Sequence, residues 1–286
     1  MAAPLGPTAD LHLHTCYSDG TERPRRVVEL AHEAGLSAIA ITDHDILDGY
    51  PEAAAAAQEH GLELIPGLEM SASCDGREVH VLGFFVDLAR AAFQQILAEQ
   101  RTRRIARIRD MIARLQQLNL PVTEEEVFAI AGEGAVGRPH VAQAMLKRGY
   151  VSTVKEAFDR YIGADGPAYV AGSPLAPRTA IAAIRDAGGI PVLAHPVFLK
   201  DDGLIEQMCR DGLAGLEVYH SSHTPEVVRR YELLAERLGL LKTGGSDYHG
   251  FSKEGAPIGS VKVPYLLVEA LKQWKRAHPT TNASCA

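Results

Sequence analysis

Short apolar segments alternate with amphipathic helical patterns along most of the chain. The apolar segments predict seven strands, and the patterns between them predict five helices. A repeated alternation of strand and helix is typical of parallel strands joined by crossover helices, so we expect an α/β architecture with a barrel or barrel-like sheet. The predicted strands are 9–14, 38–42, 63–66, 79–85, 190–194, 215–219 and 241–244, and the predicted helices are 23–34, 51–60, 177–187, 204–211 and 225–238.

The alternation stops between about 90 and 174, where only helical patterns occur. Apolar residues from Phe93 to Leu118 recur at helical spacing and predict one long amphipathic helix. Thr123 and Glu126 have the spacing of a capping box, and Pro139 suits the first residue of a further helix. We therefore predict a helical insertion. The predicted units are a first half-barrel at 9–98, the insertion at 99–165, a second half-barrel at 166–276 and a flexible tail at 277–286.

Composition narrows the class of protein. The chain has 286 residues, of which 46% are hydrophobic and 23% are charged, as in ordinary soluble proteins. Because the sequence contains neither an apolar stretch of about 20 residues nor a secretory signal, we expect a cytoplasmic location without membrane attachment. The cysteines lack the spacing of a metal clip or a disulfide framework and are expected to be reduced thiols. They are Cys16, Cys74, Cys209 and Cys285.

The net charge of -7 argues against a protein that coats duplex DNA. The charge is unevenly distributed, because residues 101–165 hold 11 basic and 8 acidic side chains, a balance of +3. This middle segment could bind an anion, and a solvated helix face is the alternative explanation.

The strongest local signal is the sequence from Asp10 to Gly20, which reads DLHLHTCYSDG. Side chains two residues apart on a strand point to the same face, so His12 and His14 lie side by side at the end of the first predicted strand. Asp19 follows in the next loop, where its carboxylate could reach the same position. Two imidazoles and a carboxylate predict one part of a metal site.

Further histidines and carboxylates occur at or just beyond other predicted strands. In parallel α/β folds the carboxyl ends of the strands and their loops build the functional site, so these side chains are expected to converge. Any one of them alone could be a hydrogen-bonded core or loop residue. Their recurrence at successive strand ends is harder to explain by packing. The residues are His44, Glu69, His80, His195, Asp247 and His249.

Taken together, these motifs resemble the polymerase and histidinol phosphatase (PHP) family. The resemblance is carried by D-L-H-x-H-x-x-x-S-D-G at 10–20, T-D-H-D at 42–45, the later Glu69, H-P at 195–196 and S-D-x-H at 246–249. That family is similar to the wider amidohydrolase superfamily and has a distorted (β/α)7 barrel. The resemblance therefore implies this barrel, with the helical segment as an insertion.

The resemblance also implies three metal sites. His12, His14, Glu69 and Asp247 would hold the first ion, and Glu69 would bridge to a second ion held by His80 and His195. Asp19, His44 and His249 would hold the third. Mixed imidazole and carboxylate ligands favour Mn²⁺, Fe²⁺ or Zn²⁺ over Ca²⁺ or Mg²⁺, and similarity to the family favours Mn²⁺. His12, His14, Asp19, Glu69 and Asp247 are thus expected to be catalytic.

The resemblance also implies that the insertion covers the substrate, so substrate-binding candidates lie in the insertion and on the rim of the barrel. Arginines near the start of the long helix and a glycine-rich turn before Pro139 could bind phosphate, with a solvated face and a simple turn as the alternative explanations. His220 and His223 follow the sixth predicted strand, where one of them could protonate a leaving group. The predicted substrate-binding residues are Asp19, Arg101, Arg103, Arg104, Gly134, Ala135, Val136, Gly137, Arg138, His140 and His223.

The resemblance implies a metal-dependent phosphomonoester hydrolase. Chains of this layout are similar to 3',5'-nucleoside bisphosphate phosphatases, which remove the 3'-phosphate and leave a 5'-monophosphate such as AMP, with metal-activated hydroxide attacking phosphorus. The closest alternative is a 5'-to-3' exoribonuclease acting on short RNA. Histidinol phosphate phosphatase is a second alternative, which the arginine-rich insertion disfavours. A proofreading module of a DNA polymerase and a metal-binding regulatory module without turnover are more distant ones.

Overall fold

The computed structural model describes residues 6–172, 175–250 and 256–279. Within these ranges eight strands form one sheet, in the spatial order β7-β6-β5-β4-β3-β2-β1-β8. Seven of them correspond to the predicted strands, and β8 is a two-residue addition. The strands are β1 (Thr8–Leu13), β2 (Ala38–Ile41), β3 (Glu63–Cys74), β4 (Arg77–Phe84), β5 (Ile190–Leu193), β6 (Gly215–His220), β7 (Leu241–Gly245) and β8 (Val263–Pro264).

The sheet curls until its first and seventh strands meet. Leu13 forms a parallel bridge with Tyr248, just beyond β7. Beside this bridge the Asp247 amide donates to the His12 carbonyl at 3.0 Å, and the His14 amide donates to the Tyr248 carbonyl at 2.9 Å. The result is a nearly closed barrel, which agrees with the α/β barrel expected from the sequence.

The prediction of uniformly parallel strands was wrong at β4. This strand pairs antiparallel with both β3 and β5, whereas β1–β2, β2–β3, β5–β6 and β6–β7 are parallel. The cause is a two-residue turn, because Asp75 and Gly76 have φ of 50° and 76° and join β3 directly to β4. Asp-Gly is a preferred sequence for such a turn, since both central residues need positive φ. The turn also lengthens β3 well beyond the predicted end at residue 66.

Helices cover the outside of the barrel. Four of the five predicted barrel helices have a proline at their first or second position. Proline fits the first helical turn because the amide that it lacks would have no hydrogen-bond partner there. They are α1 (Pro24–Glu33), α2 (Tyr50–His60), α7 (Pro177–Asp186) and α9 (Pro225–Leu238); α8 (Asp202–Arg210) and α10 (Tyr265–Ala277) complete the set.

The segment between β4 and α7 is helical, as predicted. Its long first helix, α3, belongs to two apolar cores, because Phe93 and Leu97 pack against the barrel core while Ile108 and Met111 pack in a separate cluster. The Thr123–Glu126 capping box opens α4 as predicted. The helices are α3 (Ala91–Gln117), α4 (Glu124–Ala131), α5 (Arg138–Lys147) and α6 (Val154–Ala157), followed by a π-helical turn, Phe158–Ile162. The unit boundaries at 99 and 165 stay a prediction.

Other expectations concern the ends of the chain and the thiols. Most of the predicted tail, from residue 280 onward, lies outside the described residues, as does Cys285. Cys16, Cys74 and Cys209 are free thiols. Within the described ranges, no helix combines the length and the apolar character that crossing a membrane requires.

The closure of the barrel predicts a strong effect of Gly245→Ala. A Cβ at Gly245 would lie 2.5 Å from the Cβ and the amide nitrogen of His12, so β7 could not approach β1 as closely. We expect a loss of about 1–3 kcal/mol in the free energy of unfolding, the usual cost of overpacking. Urea unfolding of the metal-free protein measures it. Gly203→Ala in α8 is the control, because its Cβ would lie 3.3 Å from the Asp201 carboxylate and alanine favours helix. Equal midpoints for the two variants would contradict this account of closure.

Candidate metal centre

His12 and His14 lie where the first strand ends, on the face that points into the barrel. Leu13, between them, packs in the core on the opposite side. Both imidazoles are buried, and their Nε2 atoms lie 3.1 Å apart. The two-residue period of the strand therefore brings the H-x-H motif together as the sequence predicted.

Glu69 is the centre of the cluster. It lies within β3, not in a loop, and it is 1% exposed. Its Oε2 is 3.2–3.3 Å from ring nitrogens of three histidines, and its Oε1 is 2.9 and 3.0 Å from those of two more. The first three histidines are His12, His14 and His44, and the other two are His80 and His195.

Asp247 lies on the side of the cluster formed by the loop after β7. Its Oδ1 is 3.4 Å from the Nε2 atoms of both His12 and His14. Its Oδ2 is 3.4 Å from Nε2 of His220, the last residue of β6. Asp247 has a φ of 54°, an uncommon conformation for a residue other than glycine, and such strained backbone often occurs at functional sites.

Asp19 forms a second group of ligands beside the first. Its Oδ1 lies 3.2 Å from Nε2 of His249 and 3.7 Å from Nδ1 of His14, and its Oδ2 lies 3.8 Å from Nε2 of His44. All nine residues predicted from the sequence as metal ligands thus lie in one continuous cluster.

The donor set fits divalent cations. Ligand atoms that sit 2.0–2.2 Å from one ion are roughly 3.0–3.4 Å from one another, and most separations around Glu69 and Asp247 fall in that range. Within the described residues, the buried Nδ1 of His44 lies 3.3 Å from Oε2 of Glu69 but makes no hydrogen bond. Among the same residues, four overlapping groups of side chains have the geometry to hold an ion: His14, Asp19, His44 and His249; His12, His220 and Asp247; His12, His14 and Glu69; and His44, Glu69 and His80.

Mutual electrostatics keeps the carboxylates of the cluster ionised. Burial would raise the pKa of Glu69, but the neighbouring His44, His80 and His12 imidazoles bring that pKa well below its usual value. Burial would likewise raise the pKa of Asp19, which His249 and His44 lower well below its usual value. Ionised carboxylates without water around them attract cations strongly.

The sequence interpretation missed Glu217, a fully buried carboxylate on β6. Its Oε1 accepts from Nδ1 of His12 at 2.9 Å, and its Oε2 accepts from the His195 amide at 2.7 Å. Because Nδ1 of His12 donates, its Nε2 is left bare and available to a metal, a common arrangement for metal-binding histidines. The signal was present as a lone acidic residue inside an apolar strand.

Asp43 was also missed, although it lies in the quoted T-D-H-D motif. It accepts hydrogen bonds from the Thr15 amide at 2.7 Å, from the Thr15 hydroxyl at 2.6 Å and from the Ser18 hydroxyl at 2.6 Å. Burial raises its pKa, and these bonds oppose that shift. Asp43 therefore fixes the loop that carries Asp19.

A cavity of about 750 Å³ lies between this cluster and the insertion. Asp19, His44, Glu69, Asp247 and other metal-ligand candidates form the barrel side of its wall. Four arginines from α3 and α5 line the insertion side. They are Arg103, Arg104, Arg107 and Arg138, of which Arg107 was not predicted as a substrate-binding residue.

Two acidic residues hold three of these arginines in place. Glu78 on β4 pairs with Arg107 at 2.7 Å and with Arg138, and the two guanidinium groups lower the pKa of Glu78 to about 2 against the effect of its burial. Arg104 donates to Asp45 at 2.7 Å and to the Ser71 hydroxyl at 2.6 Å. Arg103 remains 44% exposed.

Six of the predicted substrate-binding residues do not line the cavity. Arg101 points away from it and pairs with the exposed Asp48 at 3.1 Å. His223 donates from Nδ1 to the Val218 carbonyl at 2.8 Å and packs on Tyr231. The others, which belong to the turn before α5 and to its first residues, are Gly134, Ala135, Val136 and His140.

The turn before α5 contacts the loop that carries Asp19 instead. The Ala135 amide donates to the Tyr17 carbonyl at 2.8 Å, and a Cβ at Gly134 would lie 2.6 Å from that carbonyl oxygen. The Gly137 amide donates to Nδ1 of His140 at 2.9 Å, so it is already satisfied. Burial lowers the pKa of His140, whose ring also bonds the Ser18 backbone. This turn therefore joins the insertion to the barrel.

Comparison with known proteins agrees with these features. The family model of the PHP domain matches residues 10–164. A 3',5'-nucleoside bisphosphate phosphatase of Chromobacterium violaceum is 33% identical over 266 residues, 87% of this chain and 90% of that protein. A 5'-3' exoribonuclease of Haemophilus influenzae is 33% identical over 245 residues, 84% of this chain and 89% of that protein.

The fold agrees as well. A solved structure from Bifidobacterium adolescentis, assigned as a metal-dependent phosphoesterase, is 35% identical and has a TM-score of 0.85, covering 94% of this chain and 96% of that one. The distorted barrel expected from the resemblance is confirmed. The chain belongs to the PHP domain family.

Proposed function

We propose that this phosphoesterase removes the 3'-phosphate of nucleoside 3',5'-bisphosphates and leaves the nucleoside 5'-monophosphate. The observation that carries the proposal is the two-sided cavity. A cluster suited to cations forms its barrel side, and four arginines line its insertion side. A ribose with phosphates at two positions matches a cavity that attracts anions on both sides, and its volume suits a small ligand.

The residues present fit a cluster of divalent ions, for which we favour Mn²⁺. When bound, such ions lower the pKa of water and neutralise charge on phosphoryl oxygens. The chain itself keeps the carboxylates ionised and fixes the imidazole tautomers through partners such as Glu217. The three groups we propose as ligands are His12, His14, Glu69 and Asp247; Glu69, His80 and His195; and Asp19, His44 and His249.

His220 and His223 fit a supporting role better than proton donation to substrate. The Ser222 amide donates to Nδ1 of His220 at 3.0 Å, so the proton of the neutral ring is on Nε2, next to Asp247. His220 therefore faces the proposed ligand Asp247 at 3.4 Å, although within the described residues its Nε2 makes no hydrogen bond. Neither histidine lines the cavity, and His223 supports the loop after β6.

A 5'-to-3' exoribonuclease acting on short RNA is the second candidate. It is favoured by the relative of that name from Haemophilus influenzae, which is as similar as the bisphosphate phosphatase. We propose a cytoplasmic location, as expected from the sequence.

Product formation with Mn²⁺-loaded protein tests the proposal, measured as inorganic phosphate from the phosphomonoesters and as nucleoside 5'-monophosphate from RNA. We expect a higher kcat/KM for a 3',5'-bisphosphate nucleotide than for a short 5'-phosphorylated RNA or histidinol phosphate, because only the bisphosphate has a terminal phosphate for each side of the cavity. Chelator-treated protein is the control and should be inactive until Mn²⁺ is restored. Faster cleavage of RNA would replace this proposal with the exoribonuclease. Faster hydrolysis of histidinol phosphate would exclude a nucleotide substrate, and no product from any of the three would favour a regulatory module.

Glu217→Gln should weaken metal binding and turnover by about 10- to 100-fold. Glutamine has one acceptor oxygen, whereas Glu217 uses both of its oxygens, so either His12 or the His195 amide loses its acceptor. Titration of Mn²⁺ against a chelator, together with kcat at saturating Mn²⁺, measures the effect. Glu232→Gln is the matched control, since Glu232 contacts the Tyr219 hydroxyl outside the cluster. Wild-type Mn²⁺ affinity in Glu217→Gln would show that the carboxylate does not orient His12.

Arg103→Ala should raise KM for the bisphosphate by about tenfold, with a smaller effect on kcat, because a hydrogen bond to a charged group is lost in both the bound state and the transition state. Arg101→Ala is the matched control, since it removes an arginine of similar exposure from the same helix but outside the cavity. Steady-state kinetics of both variants measures KM and kcat for the bisphosphate. Equal KM values would remove Arg103 from the substrate site.

A further inference from the structure

Phe198 is an exposed aromatic residue beside the metal centre. Its side chain is 59% exposed, and it lines the cavity. Four other large apolar side chains are exposed in the described part of the chain, and the cavity wall includes none of them. Those four are Leu118, Leu146, Leu233 and Leu266.

A short helix beside the metal centre carries this ring. Phe198 ends a short 3-10 helix, Pro196–Phe198, that begins directly after the metal-ligand candidate His195. The Phe198 amide donates to the His195 carbonyl at 3.1 Å, and the neighbouring Leu199 is buried. The ring centroids of Phe198 and His195 are 5.4 Å apart. The aromatic ring therefore lies next to the ligands around which the reacting phosphate is proposed to bind.

The remaining cavity wall explains why a planar apolar group would bind there. Val154 and Phe158 of the insertion, and Val170 just after it, line the same cavity as the arginines. The arginines and the metal cluster would bind the phosphates of a nucleotide, so its base needs further surface for its apolar faces. An exposed ring on one wall and apolar side chains on another supply such surface.

We propose that Phe198 is the stacking platform for the nucleobase of the substrate. The inference rests on the proposed function, because it assumes that the scissile phosphate belongs to a nucleotide. Stacking on one aromatic ring contributes affinity without reading the base edge, so the platform would accept every base. Phe198 thus selects a nucleoside over a bare sugar phosphate.

A comparison of two substrates tests the inference. Adenosine 3',5'-bisphosphate and ribose 3,5-bisphosphate carry the same phosphates, and only the first has a base. We expect Phe198→Ala to lower kcat/KM for the adenosine compound by about 5- to 150-fold, the range that loss of one stacked base produces. Hydrolysis of the ribose compound should change by less than about twofold. Phe198→Tyr should retain the preference for the base, and Leu266→Ala, which removes an exposed side chain far from the cavity wall, should leave both rates unchanged.

The outcomes separate the two proposals. If the wild-type protein hydrolyses neither bisphosphate, the proposed function fails. If it hydrolyses both and Phe198→Ala lowers both rates equally or changes neither, the bisphosphatase stands and the stacking role is overturned. A loss confined to the adenosine compound supports both.

A fluorescence measurement gives a readout independent of turnover. Phe198→Trp introduces an indole at the platform, and the only natural tryptophan, Trp274, lies on α10 and stacks on His278. Adenosine 5'-monophosphate should quench the emission of the variant, whereas ribose 5-phosphate at the same concentration and the wild-type protein with either ligand should show little change. Equal responses of the variant to the two ligands would overturn base stacking.

Discussion

The structure is organised around the burial of one ionised carboxylate, Glu69. A carboxylate that is 1% exposed has lost nearly all of its hydration, and an isolated charge in that position would be very costly. Five imidazole nitrogens lie within 3.3 Å of the carboxylate, and their electrostatic interaction with it lowers its pKa against the effect of burial. Divalent cations held by the proposed ligands would place further positive charge at the same point. The curling of the sheet brings these groups together, because strands that are far apart in the order of the sheet all place side chains next to Glu69.

The sequence was most informative for side chains whose position depends only on the two-residue period of a strand and on the direction of that strand. The two-residue period of a strand places His12 and His14 together. The other ligands were found because they lie at or near the ends of predicted strands, which meet at one edge of the sheet. The antiparallel β4 was missed because a two-residue Asp-Gly turn was not considered between two apolar runs. The error moved Glu69 from a strand into a predicted loop without removing it from the cluster. Chemistry was therefore easier to predict than topology.

Contacts that depend on the packing of remote segments could not be predicted in the same way. Arg101 and Arg104 were both predicted to bind substrate, but the direction in which α3 crosses the barrel decides which arginines face the cavity. The glycine-rich turn before α5 resembled an anion site because glycines at a helix start often bind phosphate. Its amides instead bond Tyr17 and His140, since the turn must pass close to the loop that carries Asp19. Glu217 was visible as a buried charge, but its partners lie on β1 and after β5.

The insertion and the barrel meet beside one group of proposed metal ligands. Asp19 lies on the loop that Ala135 and His140 contact, and His44 is followed by Asp45, which binds Arg104 at 2.7 Å. The other proposed ligands are held mainly by the strands of the barrel. The group formed by Asp19, His44 and His249 is therefore the part of the centre whose geometry depends most on how the insertion docks. The same docking sets the position of the arginines, so the segment that binds substrate also supports the nearest ligands.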